Sequence, residues 1–330
     1  MEIDLKYNFK RANTNIDFNN AVKKLLKKIY ENSYKKQVQN REIGYIDNES
    51  KSLVQAFLNL QEFIYYNFIN SSDEEFIQII WKLDKYLDKI SIMPKTEKKG
   101  YGYYNPDEKL KTIYINPDIS EERKKLYLAH ELGHVLNRNW TENLQNYCEN
   151  LIKNARPSAV VTFWQGFQFL DEVTTQDRAE DYFYWSLKKS RPSLKPSSYS
   201  SIKDNNSKPI TFNTNFDYYG ELQEPAILFA RLVCRDCQGY SDEKILNELS
   251  KRALSATFIS DIIAYFESIG KKEDFIELIY YMGLLKRGSY AKFSQDDKKY
   301  LENFYKNLQE FNVKVKFLIK YIEDNNGFKR

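Results

Sequence analysis

The feature that most constrains this chain is the placement of its histidines. The 330-residue sequence contains only two, His130 and His134, and both lie in the stretch KLYLAHELGHVLN at residues 125–137. On an α-helix, residues four positions apart lie on the same face, one turn apart. One side of that helix would be buried by a stripe of apolar residues, namely Leu126, Ala129, Leu132, Val135 and Leu136. The stretch therefore predicts a helix held against the protein body, with two imidazoles pointing the same way.

The composition is that of an ordinary soluble globular protein, with 42% hydrophobic and 29% charged residues. A net charge of +4 is small for this length, and basic residues are scattered among acidic ones, so no nucleic-acid partner is predicted. No apolar run is long enough to span a membrane, and the polar start MEIDLKYNFKRANTN has no secretory h-region. These features predict a cytoplasmic protein without a membrane partner. They leave export without a cleaved signal and the oligomeric state open.

The hydrophobic pattern predicts an α+β protein that is mostly α, with three regions. Residues 1–92 read as a helical N-terminal region of about three helices, including 19–36, 52–69 and 74–90. Residues 93–240 would form a core that contains a small sheet and the histidine helix, and residues 241–330 a helical C-terminal region. Ser72 or Asp73 is expected to cap the third helix. Asp118 with Glu121 is expected to form a capping box before the histidine helix.

The predicted sheet lies just before the histidine helix. The run KTIYIN at residues 111–116 alternates Ile113 and Ile115 with polar or amphipathic neighbours, a pattern typical of a short strand. The aromatic run YGYYN at 101–105 is expected to pair with it as a hairpin. The stretch RPSLKPSSYSSIKDNNSKP at 191–209, rich in Ser, Pro, Lys and Asn, is predicted to be a loop.

The histidine pair and the residue after the first histidine carry recognisable chemistry. Two imidazoles one turn apart can bind one metal ion, and Glu131 projects about 100° further round the helix axis. Glu131 could therefore flank the metal without binding it, as a general base acting on water. This is the H-E-x-x-H motif of zinc peptidases. The motif predicts a Zn²⁺ site at His130 and His134.

A catalytic zinc ion needs a third protein ligand and an open position. No histidine remains, so the third ligand must be Asp, Glu or Cys. The metzincin extension would need Gly at 137 and His at 140, but the chain has Asn137 and Trp140. Peptide deformylases use a cysteine upstream of the motif, and none precedes His130. A carboxylate from a second helix remains, and the stretch FLDEVTTQDRAED at 169–181 is the best candidate to supply it.

That second stretch resembles the gluzincin group of zinc metallopeptidases. In many bacterial members a helix follows the approximate pattern L-[ND]-E-x-x-T-[EQ]-x-x-x-E, and its first Glu binds zinc. The matching positions are Leu170, Asp171, Glu172, Thr175, Gln176 and Glu180. The resemblance implies a zincin-like core in which Glu172 completes the zinc site, and a short edge strand within 101–116 along which an extended peptide can lie. Val173 departs from the pattern, because many members have Gly there.

Such enzymes also need a donor for the oxyanion of the tetrahedral intermediate, usually Tyr or His. Since no histidine is left, tyrosine is the candidate, and Tyr218 and Tyr219 in NFDYYGELQEP precede a predicted helix start. Tyr182 and Tyr184 on the second helix are further options. Tyrosine is abundant throughout the chain, so aromatic packing competes as the explanation for each of them.

The three cysteines are too few for a disulfide framework. Cys234 and Cys237 form a lone C-x-x-C, which cannot complete a structural zinc site without further Cys or His ligands. A redox role is one interpretation. Two reduced thiols near a helix end in a cytosolic protein are the simpler one.

The sequence as a whole predicts a zinc-dependent endopeptidase, a hydrolase that cleaves a protein or peptide substrate through a metal-activated water with Glu131 as general base. Two alternatives stay open. One is a zinc hydrolase of the same scaffold that cleaves another bond, because the motif specifies the metal and the base but not the substrate. The other is a catalytically inactive helical interaction module that retains zinc, although such a site would gain nothing from Glu131.

Overall fold

The computed structural model describes residues 4–12, 14, 16–41, 48–93, 101–107, 109, 111–152, 157–191, 196–203, 209–213, 222–237, 239–292 and 298–325. Most of these residues are helical, with a three-stranded sheet and a two-stranded sheet among them. The predicted class, α+β and mostly α, is therefore confirmed. No helix among the described residues is long and apolar enough to cross a membrane.

The elements are, in chain order, α1 (Asn19–Arg41), α2 (Asn48–Ile69), α3 (Asp73–Tyr86), β1 (Lys89–Ile92), β2 (Gly102–Asn105), β3 (Thr112–Ile115), α4 (Glu121–Thr141), α5 (Leu144–Leu151), α6 (Pro157–Ser186), β4 (Pro196–Lys203), β5 (Pro209–Asn213), α7 (Gln223–Val233), α8 (Asp242–Arg252), α9 (Phe258–Ser268), α10 (Lys272–Lys292) and α11 (Lys298–Asn325).

By its contacts the chain divides into two compact units. The first comprises Met1–Arg138 with Arg178–Arg191, and the second comprises Asn139–Asp177 with Pro192–Arg330. Helices α4 and α6 each contribute residues to both units. This division follows contacts, and the three regions inferred from the sequence stay a prediction.

The sheet of the first unit has the strand order β1-β3-β2. The predicted hairpin is confirmed, because β2 pairs antiparallel with β3, with Tyr103 opposite Tyr114. Strand β1 pairs parallel with β3 on the other side. The prediction that a helix continues to residue 90 was wrong, because α3 ends at Tyr86 and β1 follows. Residues 89–92 continue the helical pattern of hydrophobic residues, but they form a strand because they hydrogen-bond to β3. The hydrophobic pattern of this segment alone cannot show that β3 is its partner.

Helix ends in the first unit follow local capping rules. Ser72 caps α3, as expected, and forms a capping box in which its hydroxyl accepts from the backbone N–H of Glu75 and its own N–H donates to the Glu75 carboxylate. The capping box expected at Asp118 was wrong. The hydroxyl of Ser120 accepts from the N–H of Arg123 at 3.3 Å instead, because α4 begins at Glu121.

The second unit is built from helices around a large apolar core. Helices α6 and α10 approach closely within it, because a Cβ added to Gly283 would lie only 1.9 Å from the carbonyl oxygen of Thr162. Strands β4 and β5 form an antiparallel hairpin. The prediction of a loop at 191–209 was therefore wrong for β4, since antiparallel pairing can satisfy the backbone of a polar segment whatever its side chains.

Candidate metal centre

Helix α4 presents the two histidines as their spacing predicts. Ala129, Leu132, Val135 and Leu136 are buried, and this apolar side fixes the rotation of the helix. The rings of His130 and His134 stand nearly perpendicular, at 86°, with their centroids 4.8 Å apart. Their Nε2 atoms face each other at a distance of 3.2 Å. The four-residue spacing on a helix thus brings the two imidazole nitrogens close together.

This separation fits two ligands of one zinc ion. Zinc–nitrogen bonds of about 2.0–2.1 Å in a tetrahedral site place two ligand nitrogens roughly 3.3–3.4 Å apart. The observed 3.2 Å is within about 0.2 Å of that value. Imidazole nitrogens are ligands of the kind that zinc prefers.

Glu172 of α6 joins the two histidines in a group that could hold a metal ion. One ligand atom from each of His130, His134 and Glu172 lies within 4.8 Å of the others. His130 is buried, whereas His134 and Glu172 are half-buried. Two imidazoles and one carboxylate are the three protein ligands of one of the common catalytic zinc sites, which keep a fourth position open.

Glu131 is buried and adjoins the edge strand of the small sheet. Only 6% of its surface is exposed. A Cβ added to Gly102, the first residue of β2, would lie 3.8 Å from the Cγ of Glu131. The side chain that follows the first histidine therefore lies beside β2, within the same compact unit.

Lys286 of α10 was missed at the sequence level. Its Nζ lies 3.5 Å from Oε1 of Glu172 and 3.5 Å from Oε1 of Gln168. The ammonium is almost fully buried, with only 5% of the side chain exposed. The close approach of α10 to α6 at Gly283 lies one turn before Lys286 and brings this cation to Glu172. The signal in the sequence was a lysine on the apolar stripe that also carries Leu278 and Met282.

The other acids of α6 have partners of their own. Glu180 forms an ion pair with Arg191 at 3.0 Å, and both side chains are about nine-tenths buried. Asp177 accepts a hydrogen bond from the hydroxyl of Ser250 at 2.8 Å. Neither acid belongs to the group of His130, His134 and Glu172 that could hold a metal ion.

A buried basic pair lies in the first unit near the C-terminal half of α4. Arg178 directs its guanidinium to the carbonyl oxygen of Gly133 and to Oδ1 of Asn137, each at 3.5 Å. Lys82 of α3 is 1% exposed, and burial, together with the Arg178 charge, lowers the pKa of Lys82 to about 7. These contacts tie the end of α6 to the turn of α4 that carries His134.

Of the tyrosines proposed as oxyanion donors, the structure describes some and not others. Tyr218 and Tyr219 lie outside the described residues, so their role stays a prediction. The hydroxyl of Tyr182 lies 3.3 Å from both the carbonyl oxygen of Asn59 and the carboxylate of Glu62. Burial, followed by the Glu62 charge, raises the pKa of Tyr182. Tyr182 thus anchors α6 to α2.

All three cysteines are free and buried. Burial raises the pKa of Cys234 to about 12 and also raises that of Cys237. Burial likewise raises the pKa of Cys148 to about 12. Protonated thiols are poor nucleophiles and poor redox centres, which favours the structural interpretation of the C-x-x-C pair.

Residues 89–153 match the family model described as Peptidase M78, IrrE N-terminal-like domain. The matched segment contains β1, β2, β3, α4 and α5, and therefore His130, Glu131 and His134, while Glu172 lies beyond it. It covers less than half of the chain. Neither a curated protein nor a solved structure matches the sequence. The match supports a metallopeptidase-like relationship for this segment, within a family that also includes regulatory members.

Proposed function

We propose that this protein is a zinc-dependent endopeptidase in which Glu131 acts as the general base. The observation that carries the proposal is the histidine pair of α4, whose Nε2 atoms face each other at 3.2 Å, with a buried carboxylate on the next residue. The match of residues 89–153 to a peptidase family model supports it.

His130, His134 and Glu172 would hold the metal. When bound, a zinc ion would polarise the scissile carbonyl and acidify a water molecule to a pKa near 7. The two imidazoles would bind the ion through their Nε2 atoms.

Glu131 would transfer protons as a general base and then as a general acid. Its carboxylate accepts a proton from the attacking water and afterwards delivers it to the nitrogen of the leaving amine. A general base contributes typically 10²- to 10⁴-fold in rate. Glu131 is buried beside β2, and a substrate paired with that strand would bring a peptide bond close to its carboxylate.

Strand β2 would align the substrate. It lies at one edge of the β1-β3-β2 sheet. Among the described residues, β3 is the only strand that pairs with it, so its outer side carries no strand. The N–H of Asn116 donates to the carbonyl oxygen of Tyr101, so residues 101 and 103 hydrogen-bond towards β3. By alternation, the backbone groups of Gly102 and Tyr104 point to the open edge. An extended peptide paired there would pass Glu131, which adjoins Gly102.

The test is identification of new protein termini after incubating a cell extract with the zinc-loaded protein or with its Glu131→Gln variant. The amide of Gln keeps the shape of the side chain but cannot accept the proton from water. Termini that appear with the wild type and not with the variant support the proposal. A variant that generates the same termini at a similar rate would refute Glu131 as the base. Zinc retention without any cleavage would favour a non-peptidase hydrolase or a binding module.

A further inference from the structure

The second unit contains a cavity that the proposed hydrolytic site does not use. Its volume is about 310 Å³, and it lies where the ends of α7 and α8 meet α9. None of its lining residues belongs to the metal-binding group. A volume near 300 Å³ is at the lower end of the range for small-molecule sites in proteins.

The floor of the cavity is apolar. Leu232, Phe258 and Phe266 line it and are almost fully buried, and Ile262 lies beside them. An apolar ligand body of matching size would bury its own surface there, at about 25 cal/mol for each Å² removed from water. The floor therefore favours an aromatic or aliphatic group.

Two guanidinium groups and the carboxylate of Asp261 line the same cavity, and that carboxylate accepts a hydrogen bond from the Thr257 hydroxyl at 2.6 Å. The two guanidinium groups differ in their partners. Arg252 donates hydrogen bonds to both carboxylate oxygens of Asp236, each at 2.7 Å, and to one carboxylate oxygen of Glu248 at 3.0 Å. These two acids already neutralise its charge. Arg235 instead lies over the ring of Tyr265, with its Cζ 3.6 Å from the ring centroid. Among the described part of the chain, Arg235 has no carboxylate within ion-pair distance.

The C-x-x-C pair explains how Arg235 is held. Cys234 and Cys237 are buried on the inner side of the short 3₁₀ turn Arg235–Cys237, and the N–H of Cys237 donates to the carbonyl oxygen of Cys234 at 3.0 Å. With the thiols anchored in the core, Arg235 faces the cavity. Its stacking on Tyr265 fixes the guanidinium plane before any ligand arrives, so less side-chain entropy is lost on binding.

We infer that this cavity binds a small organic anion, in which an aromatic or aliphatic body lies on the apolar floor and a carboxylate, sulfonate or phosphate group pairs with Arg235. The combination of an apolar pocket with one oriented charged group is the usual construction of a small-molecule site. An unneutralised guanidinium recognises an oxyanion through paired N–H donors.

The experiment compares two fluorescent probes that share an aromatic body and differ in charge. The anionic probe is 8-anilinonaphthalene-1-sulfonate, and the neutral probe is N-phenyl-1-naphthylamine. Each is titrated against the full-length wild type, Arg235→Gln and Arg231→Gln. Arg231 is the matched control, because it already pairs with Asp242 at 2.6 Å and does not line the cavity. Circular dichroism verifies that each variant is folded.

Arg235→Gln is expected to weaken binding of the sulfonate probe about tenfold or more, and to change binding of the neutral probe less than about twofold. Arg231→Gln should leave both unchanged. Ser255→Phe, at an exposed lining position, should weaken both probes by filling the mouth of the cavity. If Arg235→Gln does not fold, Arg235→Lys serves instead. Lysine keeps the charge but cannot stack a planar group on Tyr265, so this variant should bind the sulfonate probe more weakly than the wild type does. Absence of saturable sulfonate binding by the wild type, or equal loss of both probes in Arg235→Gln, would overturn the inference.

Discussion

Lys286 places its ammonium 3.5 Å from the carboxylate of Glu172, the acid that is grouped with the two histidines in the candidate metal site. The lysine side chain is 5% exposed and the glutamate side chain 17%. Without a metal, Lys286 supplies positive charge to this half-buried carboxylate. A zinc ion would bring a second source of positive charge to the same group, so the two cations stabilise Glu172 in overlapping ways.

Lys286→Met is therefore expected to destabilise the zinc-free protein by about 3 kcal/mol, because it leaves the Glu172 carboxylate without that partner. Zinc should restore much of the loss, so the rise in melting temperature on adding zinc should be larger in the variant than in the wild type. Thermal unfolding with a chelator and with saturating zinc measures both quantities.

The control for this measurement is Lys314→Met. Lys314 pairs with Asp274 and Glu277, neither of which belongs to the metal-binding group. Its removal should lower the melting temperature slightly and leave the zinc-induced rise unchanged. Equal zinc-induced rises in wild type and Lys286→Met would contradict the role assigned to Lys286.

The two acids at either end of the α6 motif should differ in their effect on zinc. Glu172→Ala removes a proposed ligand and should weaken zinc binding by more than the roughly 10- to 100-fold that loss of an outer-shell partner costs. Glu180→Ala removes the buried ion pair with Arg191, which should lower stability and affect zinc much less. Competition titrations against a chromogenic chelator rank the two. The reverse order would reject Glu172 as the ligand.

Lys82 should make stability depend on pH. Its pKa is about 7 in the folded protein and 10.5 as the reference for an unfolded chain. Between these values the unfolded chain binds more protons, so the free energy of unfolding should rise with pH from about 7 towards 10.5, by up to roughly 1.4 kcal/mol per pH unit. Urea unfolding of wild type and Lys82→Met across this range isolates the contribution. Parallel curves for the two proteins would show that Lys82 does not titrate in this window.

Pairing of a substrate with β2 should depend on alternate amides of the peptide. Only every second peptide N–H can point to an edge strand, here to the outward groups of Gly102 or Tyr104. N-methylation of single amides, scanned along a cleaved peptide away from the scissile bond, should therefore reduce kcat/KM at alternate positions and spare those between. A uniform effect along the peptide would argue against strand addition.

Local geometry explains what could be predicted from the sequence. His130 and His134 are related by one helical turn, so their common face follows from their spacing once the apolar stripe indicates a helix. The cap at Ser72 and the hairpin of β2 with β3 depend on neighbours in sequence in the same way. Glu172 was predicted by resemblance to a motif, because helical periodicity says nothing about which distant helix faces the histidines.

The features that were missed depend on distant partners. Strand β1 exists because β3 pairs with it, and its own residues continue a helical pattern. Lys286 meets Glu172 across 114 positions of sequence, through the close approach of two helices at Gly283. A buried lysine on an apolar stripe was the available signal, but the identity of its partner required the tertiary structure.

The most direct test of the central claim is the metal content of three purified proteins, measured by mass spectrometry of the metal after removal of loosely bound ions. Wild type and Glu131→Gln are expected to carry about one zinc ion per chain, because Glu131 is not a proposed ligand. The His130→Ala, His134→Ala double variant should carry almost none. Equal zinc in the double variant and the wild type would show that this histidine pair is not the metal site.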